Sequence, residues 1–344
     1  MIVRRGLGVV LAVTLGGVAA CNSSDDETTR SSATAVPTTA APSTAAPTTA
    51  VPTTAVPTTT APTTAVPTTI AVHTTMPVGA PTVLSIVDAS RPTSAAGGNT
   101  GADVRTIVTD VYLPNYETDP DPKPLIVLAH GFTGHPDKFT QLAEAWAAAG
   151  FVVAVPKFPL TNDEVASPQI GDLAEQGTDV DVVIDRLLER SADPSDELHG
   201  LVDPDRIGLY GLSLGSLTVW GTLLNGCCPD RIDALIQSDG VFPADPEALD
   251  GVGIPVMIAH SDTDPIFPIA GIRAEYRRLR APKYLLTMHG FAHAVVGENT
   301  PTPADDAYIA ATTAFWQRHL DADLDAPFPD SVRVEDVTSF ESRR

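Results

Sequence analysis

The sequence predicts an α/β domain whose central sheet is mostly parallel, has about eight strands and carries helices on both faces. Two observations support this fold class. Continuous apolar runs such as residues 124–130 are typical of strands buried on both faces. These runs alternate along the chain with segments of helical periodicity. The alternation covers roughly 240 residues, which a single α/β domain can hold. We therefore assign residues 81–325 to one domain.

The elements are predicted in the following order. Residues 82–92 and 104–114 alternate apolar and polar side chains and end at proline, so we expect two antiparallel strands at a sheet edge. The buried strands are predicted at residues 124–130, 151–158, 206–213, 234–240, 255–262 and 283–290. The helices are predicted at residues 136–150, 172–191, 214–225, 269–279 and 305–319. Residues 326–344 are interpreted as a C-terminal tail.

Residues 1–20 are predicted to be a signal peptide, because a basic start is followed by an apolar stretch and then by small residues. The apolar stretch is too short for a transmembrane helix. Cys21 directly follows the small residues, which resembles the lipobox of bacterial lipoproteins. That resemblance implies that Cys21 becomes the lipidated N-terminus. The alternative is an ordinary signal peptide with a cysteine nearby. In either case we expect export: the lipidated protein is anchored to the outer face of the cell membrane, and the protein without the lipid is secreted.

Residues 21–80 are predicted to be a disordered tether rich in Thr, Pro and Ala. Proline recurs at every fifth position from Pro37 to Pro67, with almost no large apolar side chain between. Such a segment cannot bury enough apolar surface to offset the entropy lost on ordering. Its proline density favours extended polyproline II structure. Its composition is also similar to that of O-glycosylated stalks.

The net charge of −22 limits the kinds of partner that the protein can bind. The charges of residues 1–100 cancel, so the acidic excess lies in residues 101–344. An acidic domain repels nucleic acid and anionic membrane surfaces. We therefore expect no nucleic-acid partner, and membrane attachment through the N-terminal lipid only. Lipids, small esters and polyesters stay open as substrates.

Cys227 and Cys228 are adjacent in the sequence. A disulfide between neighbours is strained, but an oxidising exported environment favours it. The alternative is a pair of free thiols on a loop. No Cys or His cluster has the spacing of metal ligands, so we expect neither a metal nor a cofactor.

The pentad Gly-Leu-Ser-Leu-Gly at residues 211–215 indicates a catalytic serine. Ser213 falls at the corner between a predicted strand and a predicted helix, and Gly211 and Gly215 permit a sharp turn there. A serine hydroxyl needs a base, an orienting acid and an oxyanion hole to act as a nucleophile. These partners are expected on the loops that follow other strands, because active sites in such sheets lie at the carboxyl ends of the strands.

The base and the acid are expected late in the chain. His293 lies on the loop after the last predicted strand and is favoured as the base, whereas His289 at the strand end is interpreted as a packing or loop-fixing residue. Asp264, on the loop after the preceding strand, is favoured as the acid. Asp262 is interpreted as a turn-forming aspartate, and Asp239 is a further candidate acid.

The oxyanion hole is expected to use two backbone N–H groups. One is that of Leu214, at the start of the helix after Ser213. The other is that of Phe132, in the loop after the first buried strand, where Gly131 and Gly134 permit tight geometry. Phe158, Phe267 and Phe291 follow strand ends and are candidates either for the lining of an acyl site or for ordinary core packing.

These motifs resemble the α/β-hydrolase superfamily. Residues 130–132, residues 211–215, Asp264 and His293 follow the superfamily's order, and the resemblance covers about residues 80–320. The two leading strands and the loop at residues 130–134 are similar to secreted esterases of the dienelactone-hydrolase, platelet-activating-factor-acetylhydrolase and cutinase types. The resemblance implies the α/β-hydrolase fold and a serine hydrolase that forms an acyl-enzyme without a metal.

Two features argue against an interfacial lipase. Ser216 stands where many lipases and cutinases carry a second glycine, and no large lid insertion is visible in the sequence. We expect hydrolysis of carboxylic esters. The alternatives are a lipase, a polyester hydrolase, a thioesterase or a peptidase on the same fold, or an inactive binding protein of the cell envelope.

Overall fold

The computed structural model of the chain describes residues 80–116, 119–243, 246–323, 325–331 and 334–344. The predicted signal peptide, the lipidation site at Cys21 and the tether up to residue 79 lie outside the described residues. Within the described ranges, no helix is long and apolar enough to cross a membrane.

A nine-stranded sheet forms the centre of the described domain. Its strands are β1 (Thr82–Asp88), β2 (Arg105–Tyr112), β3 (Lys123–Ala129), β4 (Val152–Lys157), β5 (Val202–Leu212), β6 (Ala234–Ser238), β7 (Val256–Ser261), β8 (Lys283–Met288) and β9 (Thr338–Arg343). Their spatial order is β1-β2-β4-β3-β5-β6-β7-β8-β9. The six central strands pair in parallel; they are β4, β3, β5, β6, β7 and β8 in spatial order. The strands β1, β2 and β9 are antiparallel to their neighbours. The predicted fold class is therefore confirmed.

Two details of the sheet differ from the predictions. Only β1 is an edge strand at its end of the sheet, because β2 pairs with β1 on one side and with β4 on the other. The strand β9 was not predicted and lies in the stretch interpreted as a tail. Its short sequence is largely accessible and has no continuous apolar run. Its position is set instead by backbone pairing with β8 over the whole of its length.

Five α-helices cover the two faces of the sheet, as predicted. They are α1 (Thr140–Ala148), α2 (Leu173–Ala192), α3 (Gly215–Asn225), α4 (Ile269–Arg278) and α5 (Asp305–His319). Side chains of α1 and α5 pack into one core cluster, and those of α2, α3 and α4 pack into the other. In α2, Val180, Val183, Ile184 and Leu187 are fully buried. Their spacing places them on one face of the helix.

A buried ion cluster ties α2 to β2. Arg105, only 1% exposed, donates from Nε and Nη2 to Asp179 at 2.6 Å, and from Nη1 and Nη2 to Asp172 at 2.9 Å. Arg91 reaches Asp179 from the side at 2.8 Å. Burial opposes the charge of Arg105, but the hydrogen bonds and the attraction of the two carboxylates outweigh it and raise the pKa of the guanidinium. The cluster therefore holds the start of α2 in place.

Replacing Arg105 with methionine is expected to lower the free energy of unfolding by about 3–5 kcal/mol, because it leaves the buried carboxylate of Asp172 without a cationic partner and that of Asp179 with Arg91 alone. Urea unfolding of the full chain measures this loss. Arg186→Met on the same helix is the matched control. Its partner Glu189 and Arg186 itself are both exposed, so we expect a loss below about 1 kcal/mol. Equal losses in the two variants would contradict the role given to the buried cluster.

Candidate active site

Ser213 lies in a strained turn between β5 and α3. Its φ of 54° is in the left-handed region, which side-chain-bearing residues rarely adopt. A Cβ added to Gly211 would lie 2.3 Å from the carbonyl oxygen of Gly215, and one added to Gly215 would lie 2.2 Å from that of Ala129. Only glycine fits at these two positions. The pentad therefore has the geometry of a nucleophile elbow, which exposes the serine hydroxyl above the sheet.

A continuous hydrogen-bonded line joins Ser213 to a histidine and an aspartate. The Oγ of Ser213 lies 2.7 Å from Nε2 of His293, and Nδ1 of His293 lies 2.7 Å from Oδ2 of Asp264. The other oxygen of Asp264 accepts hydrogen bonds from the backbone N–H groups of Ile266 at 2.7 Å and Phe267 at 3.0 Å. Asp264 is buried, whereas Ser213 and His293 are half-buried. The structure thus brings the three predicted residues together at the carboxyl ends of β5, β7 and β8.

Asp262 and His289 form a separate pair. Oδ2 of Asp262 lies 2.8 Å from Nδ1 of His289, and Oδ1 accepts from the N–H of Gly290 at 2.7 Å. Nε2 of His289 lies 2.9 Å from Oγ of Ser339 in β9. Both ring nitrogens of His289 are therefore engaged away from Ser213. This pair supports the start of the loop that carries His293.

Asp239, just after β6, also supports the loop that carries His293. It is buried, and it accepts hydrogen bonds from the N–H of Ser261 at 2.6 Å, the Oγ–H of Ser261 at 2.9 Å and the N–H of Ala294 at 3.0 Å. Burial raises the pKa of this carboxyl group. Asp239 thus bonds to the residue after His293 rather than to the His293 ring.

One group of potential metal ligands occurs among the described residues. Atoms of Asp239, His260 and Asp264 lie within 4.8 Å of one another. Asp239 already accepts hydrogen bonds from Ser261, and Asp264 accepts one from His293. Nε2 of His260 lies 2.7 Å from the carbonyl oxygen of Phe267. The geometry favours a support for Asp264 over a metal site.

The amides of Phe132 and Leu214 flank one crevice beside Ser213. Within the described residues, neither amide donates an intramolecular hydrogen bond. Their loops approach closely, since a Cβ on Gly131 would lie 2.9 Å from Cβ of Ser213. Free N–H groups next to a serine hydroxyl are suited to stabilise a developing oxyanion.

His130 orients the loop that carries Phe132, a role that the sequence did not indicate. Its ring is fully buried, and burial lowers its pKa to about 4, so the ring is neutral. Nε2 accepts from the N–H of Phe158 at 3.2 Å, which leaves the proton on Nδ1 to be donated to the carbonyl oxygen of Gly131 at 2.7 Å. The ring thus adds to the backbone hydrogen bonds from Thr133 to Thr161 and from Gly134 to Gly131 that also hold this loop.

Ser216 cross-links the elbow to the loop after β6. Its side chain is fully buried and donates to the carbonyl oxygen of Ser213, while its oxygen accepts from the N–H of Val241 at 2.9 Å. A Cβ on Gly240 would lie 2.2 Å from Oγ of Ser216. The serine that distinguishes this chain from many lipases therefore has a structural contact of its own.

The three phenylalanines considered for an acyl site have different surroundings in the structure. Phe158 is fully buried in the core against the ring of His130, so it does not line the crevice. Phe267 packs edge-on against His293, with ring centroids 5.4 Å apart. The backbone carbonyl oxygen of Phe291 accepts a hydrogen bond from the Thr263 hydroxyl. Side chains outside this set form the crevice, chiefly those of Phe132, Ile170 and Leu173.

Cys227 and Cys228 are free thiols in the structure, exposed just beyond the end of α3 opposite to Ser213. Their sulfur atoms lie 2.9 Å apart. The disulfide that the exported environment favoured is therefore not present.

The model of the dienelactone hydrolase family matches residues 110–322, which is more than half of the chain. The match includes Phe132, Ser213, Asp264 and His293, and it leaves out β1 and β9. No curated protein is significantly similar to the chain.

Proposed function

Since the chain belongs to the dienelactone hydrolase family of α/β-hydrolases, we propose that it is a serine hydrolase that cleaves carboxylic esters through an acyl-enzyme. The observation that carries this proposal is the hydrogen-bonded line from Ser213 through His293 to Asp264. It joins a nucleophile, a base and an orienting acid in the arrangement that acyl transfer needs.

In the proposed mechanism, Nε2 of His293 takes the proton of Ser213 as Oγ attacks the ester carbonyl carbon. Asp264 holds the imidazole in the required tautomer by accepting its Nδ1–H. The N–H groups of Phe132 and Leu214 stabilise the oxyanion. When the C–O bond of the ester breaks, His293 returns the proton to the leaving alcohol. Water, deprotonated by His293, then attacks the acyl-serine and releases the acid.

The proposed location is the outer face of the cell membrane. The predicted signal peptide and Cys21 support export with a lipid anchor, and the predicted tether of residues 21–80 supports a domain held away from the bilayer. The acidic charge of the domain disfavours polyanionic substrates and leaves neutral esters as the expected class.

A fluorophosphonate probe tests the proposal directly, because it reacts covalently with an activated serine. We expect labelling of the native full chain at one site, which mass spectrometry of its peptides assigns to Ser213. Heat-denatured protein is the control, since loss of the His293 contact removes the activation. If the chain were instead an inactive binding protein, it would have no activated serine and would not be labelled. An unlabelled native chain, or a label on another serine, would overturn the proposal.

A further inference from the structure

A buried histidine lies beside the proposed acid. His260, near the end of β7, is fully buried. Its Nε2 lies 2.7 Å from the carbonyl oxygen of Phe267. A carbonyl oxygen only accepts hydrogen bonds, so this ring nitrogen carries a proton. Phe267 belongs to the turn whose N–H groups hold Oδ1 of Asp264. His260 therefore fastens the turn that orients the acid.

The ring of His260 also lies between two buried carboxylates. Nε2 is 3.7 Å from Oδ2 of Asp264, and Nδ1 is 3.8 Å from Oδ1 of Asp239; all three side chains are fully buried. In the part of the chain that the structure describes, no other acidic side chain forms an ion pair with this ring. Oδ2 of Asp264 is also the atom that contacts Nδ1 of His293. The charge of His260 is therefore coupled to the proposed acid and, through it, to the proposed base.

The second ring nitrogen of His260, Nδ1, has no hydrogen-bond partner among the described residues and is closed off from solvent. Without a proton, its lone pair would face the carboxylate oxygen of Asp239. Both buried carboxylates would then lack a cation, which is costly. With a proton, the ring is attracted to Asp239 and to Asp264 at once. A charged ring therefore fits this position better than a neutral one.

The proton belongs on His260 rather than on Asp239. Burial raises the pKa of the Asp239 carboxyl group, whereas the charge of His260 and the hydrogen bonds from Ser261 lower it. The two oxygens of Asp239 accept three hydrogen bonds, two from Ser261 and one from the N–H of Ala294. Such donors favour the ionised carboxylate. The ionised carboxylate and the charged ring then form a buried ion pair.

We propose that His260 carries a positive charge at neutral pH, so that it balances Asp239 while it holds the turn of Asp264 in place. Its effect on the reaction rests on the proposed function, whereas its charge does not. With Asp239 balanced, Asp264 and Glu298 remain as acidic groups whose charges act on His293. His293 then becomes available as a base at a lower pH than it would beside an unbalanced Asp239. His260 is thus a positioning residue that also sets the charge around the base.

NMR of the ¹⁵N-labelled full chain tests the charge of His260 without any substrate. An ordinary histidine is neutral at about pH 8 and has one protonated ring nitrogen. At that pH we expect protons on both ring nitrogens of His260, assigned by through-bond correlations from its backbone. His319 on α5 is the reference for a neutral ring, because burial lowers its pKa to about 4. A single ring proton on His260 would overturn the proposal, as would a stoichiometric divalent metal ion in the purified chain.

The pH dependence of Ser213 labelling tests the effect on the site. The fluorophosphonate probe reacts only when His293 is unprotonated, so the labelling rate falls on the acid side. His260→Gln keeps an N–H for the carbonyl oxygen of Phe267 but removes the charge. We expect the acid limb of the labelling profile to move to higher pH by about one unit, because the charge of Asp239 then stabilises protonated His293.

Two further variants show that the shift comes from charge. His319→Gln is the matched control, because it removes a neutral imidazole that contacts Tyr284 near the start of β8, and it is expected to leave the acid limb in place. Asp239→Asn combined with His260→Gln removes both charges of the pair and should return the limb to its native position, even where the rate is lower. A purely structural role predicts slower labelling with no movement of the limb. An unmoved limb in His260→Gln, or the same shift in the double variant, would contradict the proposal.

Two results separate this inference from the proposed function. If the native chain is labelled at Ser213 but His260 has a single ring proton, the serine hydrolase stands and the charged histidine is wrong. If the native chain is not labelled, the proposed function fails, while the NMR result still decides the charge of His260.

Discussion

Replacement of Ser213 by alanine is expected to lower kcat for p-nitrophenyl acetate by about 10⁴-fold or more, with little change in KM. The substitution removes only the hydroxyl group, and the protein surfaces around it that contact the substrate stay in place. Without Oγ no acyl-enzyme forms, and only the oxyanion donors and substrate binding can contribute to the residual rate.

Burst kinetics and steady-state release of p-nitrophenol measure this effect in the full chain. Ser195→Ala is the matched control, because Ser195 is exposed and its hydroxyl contacts only Asp193 in a turn. That variant is expected to keep the native rate. If Ser213→Ala retained kcat within about tenfold of the native value, the assigned nucleophile would be wrong.

Replacement of Asp264 by asparagine is expected to lower kcat by about 10⁴-fold, with the fold intact. Asparagine keeps the size of the side chain, and its carbonyl oxygen can still accept from the N–H groups of Ile266 and Phe267. The amide NH₂ then faces Nδ1 of His293. The imidazole is forced into the tautomer with its proton on Nε2, which cannot accept the proton of Ser213.

Asp262→Asn is the control for this substitution. The same change is made in a second Asp–His pair, two residues away, whose histidine does not contact Ser213. We expect a loss of only a few-fold, since this pair acts on the loop rather than on the reaction. Measurement of kcat for both variants, with circular dichroism to verify folding, distinguishes the two aspartates. A larger loss in Asp262→Asn would reverse the assignment of the acid.

The sequence predicted the fold class and the parts of the site that depend on local patterns. Buried parallel strands are continuous apolar runs, so β3 to β8 were visible in the sequence. The elbow was visible because two glycines are required beside Ser213. His293 could be favoured over His289 because it lies farther along its loop, where a side chain can reach back over the sheet. Asp264 could be favoured over Asp262 because a proline and two apolar residues follow it, so that its loop turns directly into the next helix.

The remaining features depend on contacts between distant segments. The strand β9 lacks an apolar run, and only its pairing with β8 identifies it. Gln176, which lines the crevice beside Ser213, carries no motif, and the motif at residues 130–132 does not reveal what the ring of His130 does. The roles of both side chains come from buried hydrogen bonds to residues distant in the sequence. The crevice likewise could not be predicted, because it forms between the loop of Phe132 and the start of α2, which Arg105 anchors to β2.

The contacts of β9 determine when, during synthesis of the chain, the surroundings of the proposed site can be completed. The backbone N–H of His289 donates to the carbonyl oxygen of Val337 at 2.8 Å, and its ring meets Ser339. Both partners are synthesised after Ser213, Asp264 and His293. A nascent chain therefore holds every reacting group of the proposed site before one support of the histidine loop, the one from β9 and the residue before it, exists. The contacts of His289 with Val337 and Ser339 thus make the end of the chain the last part of the site's surroundings to form.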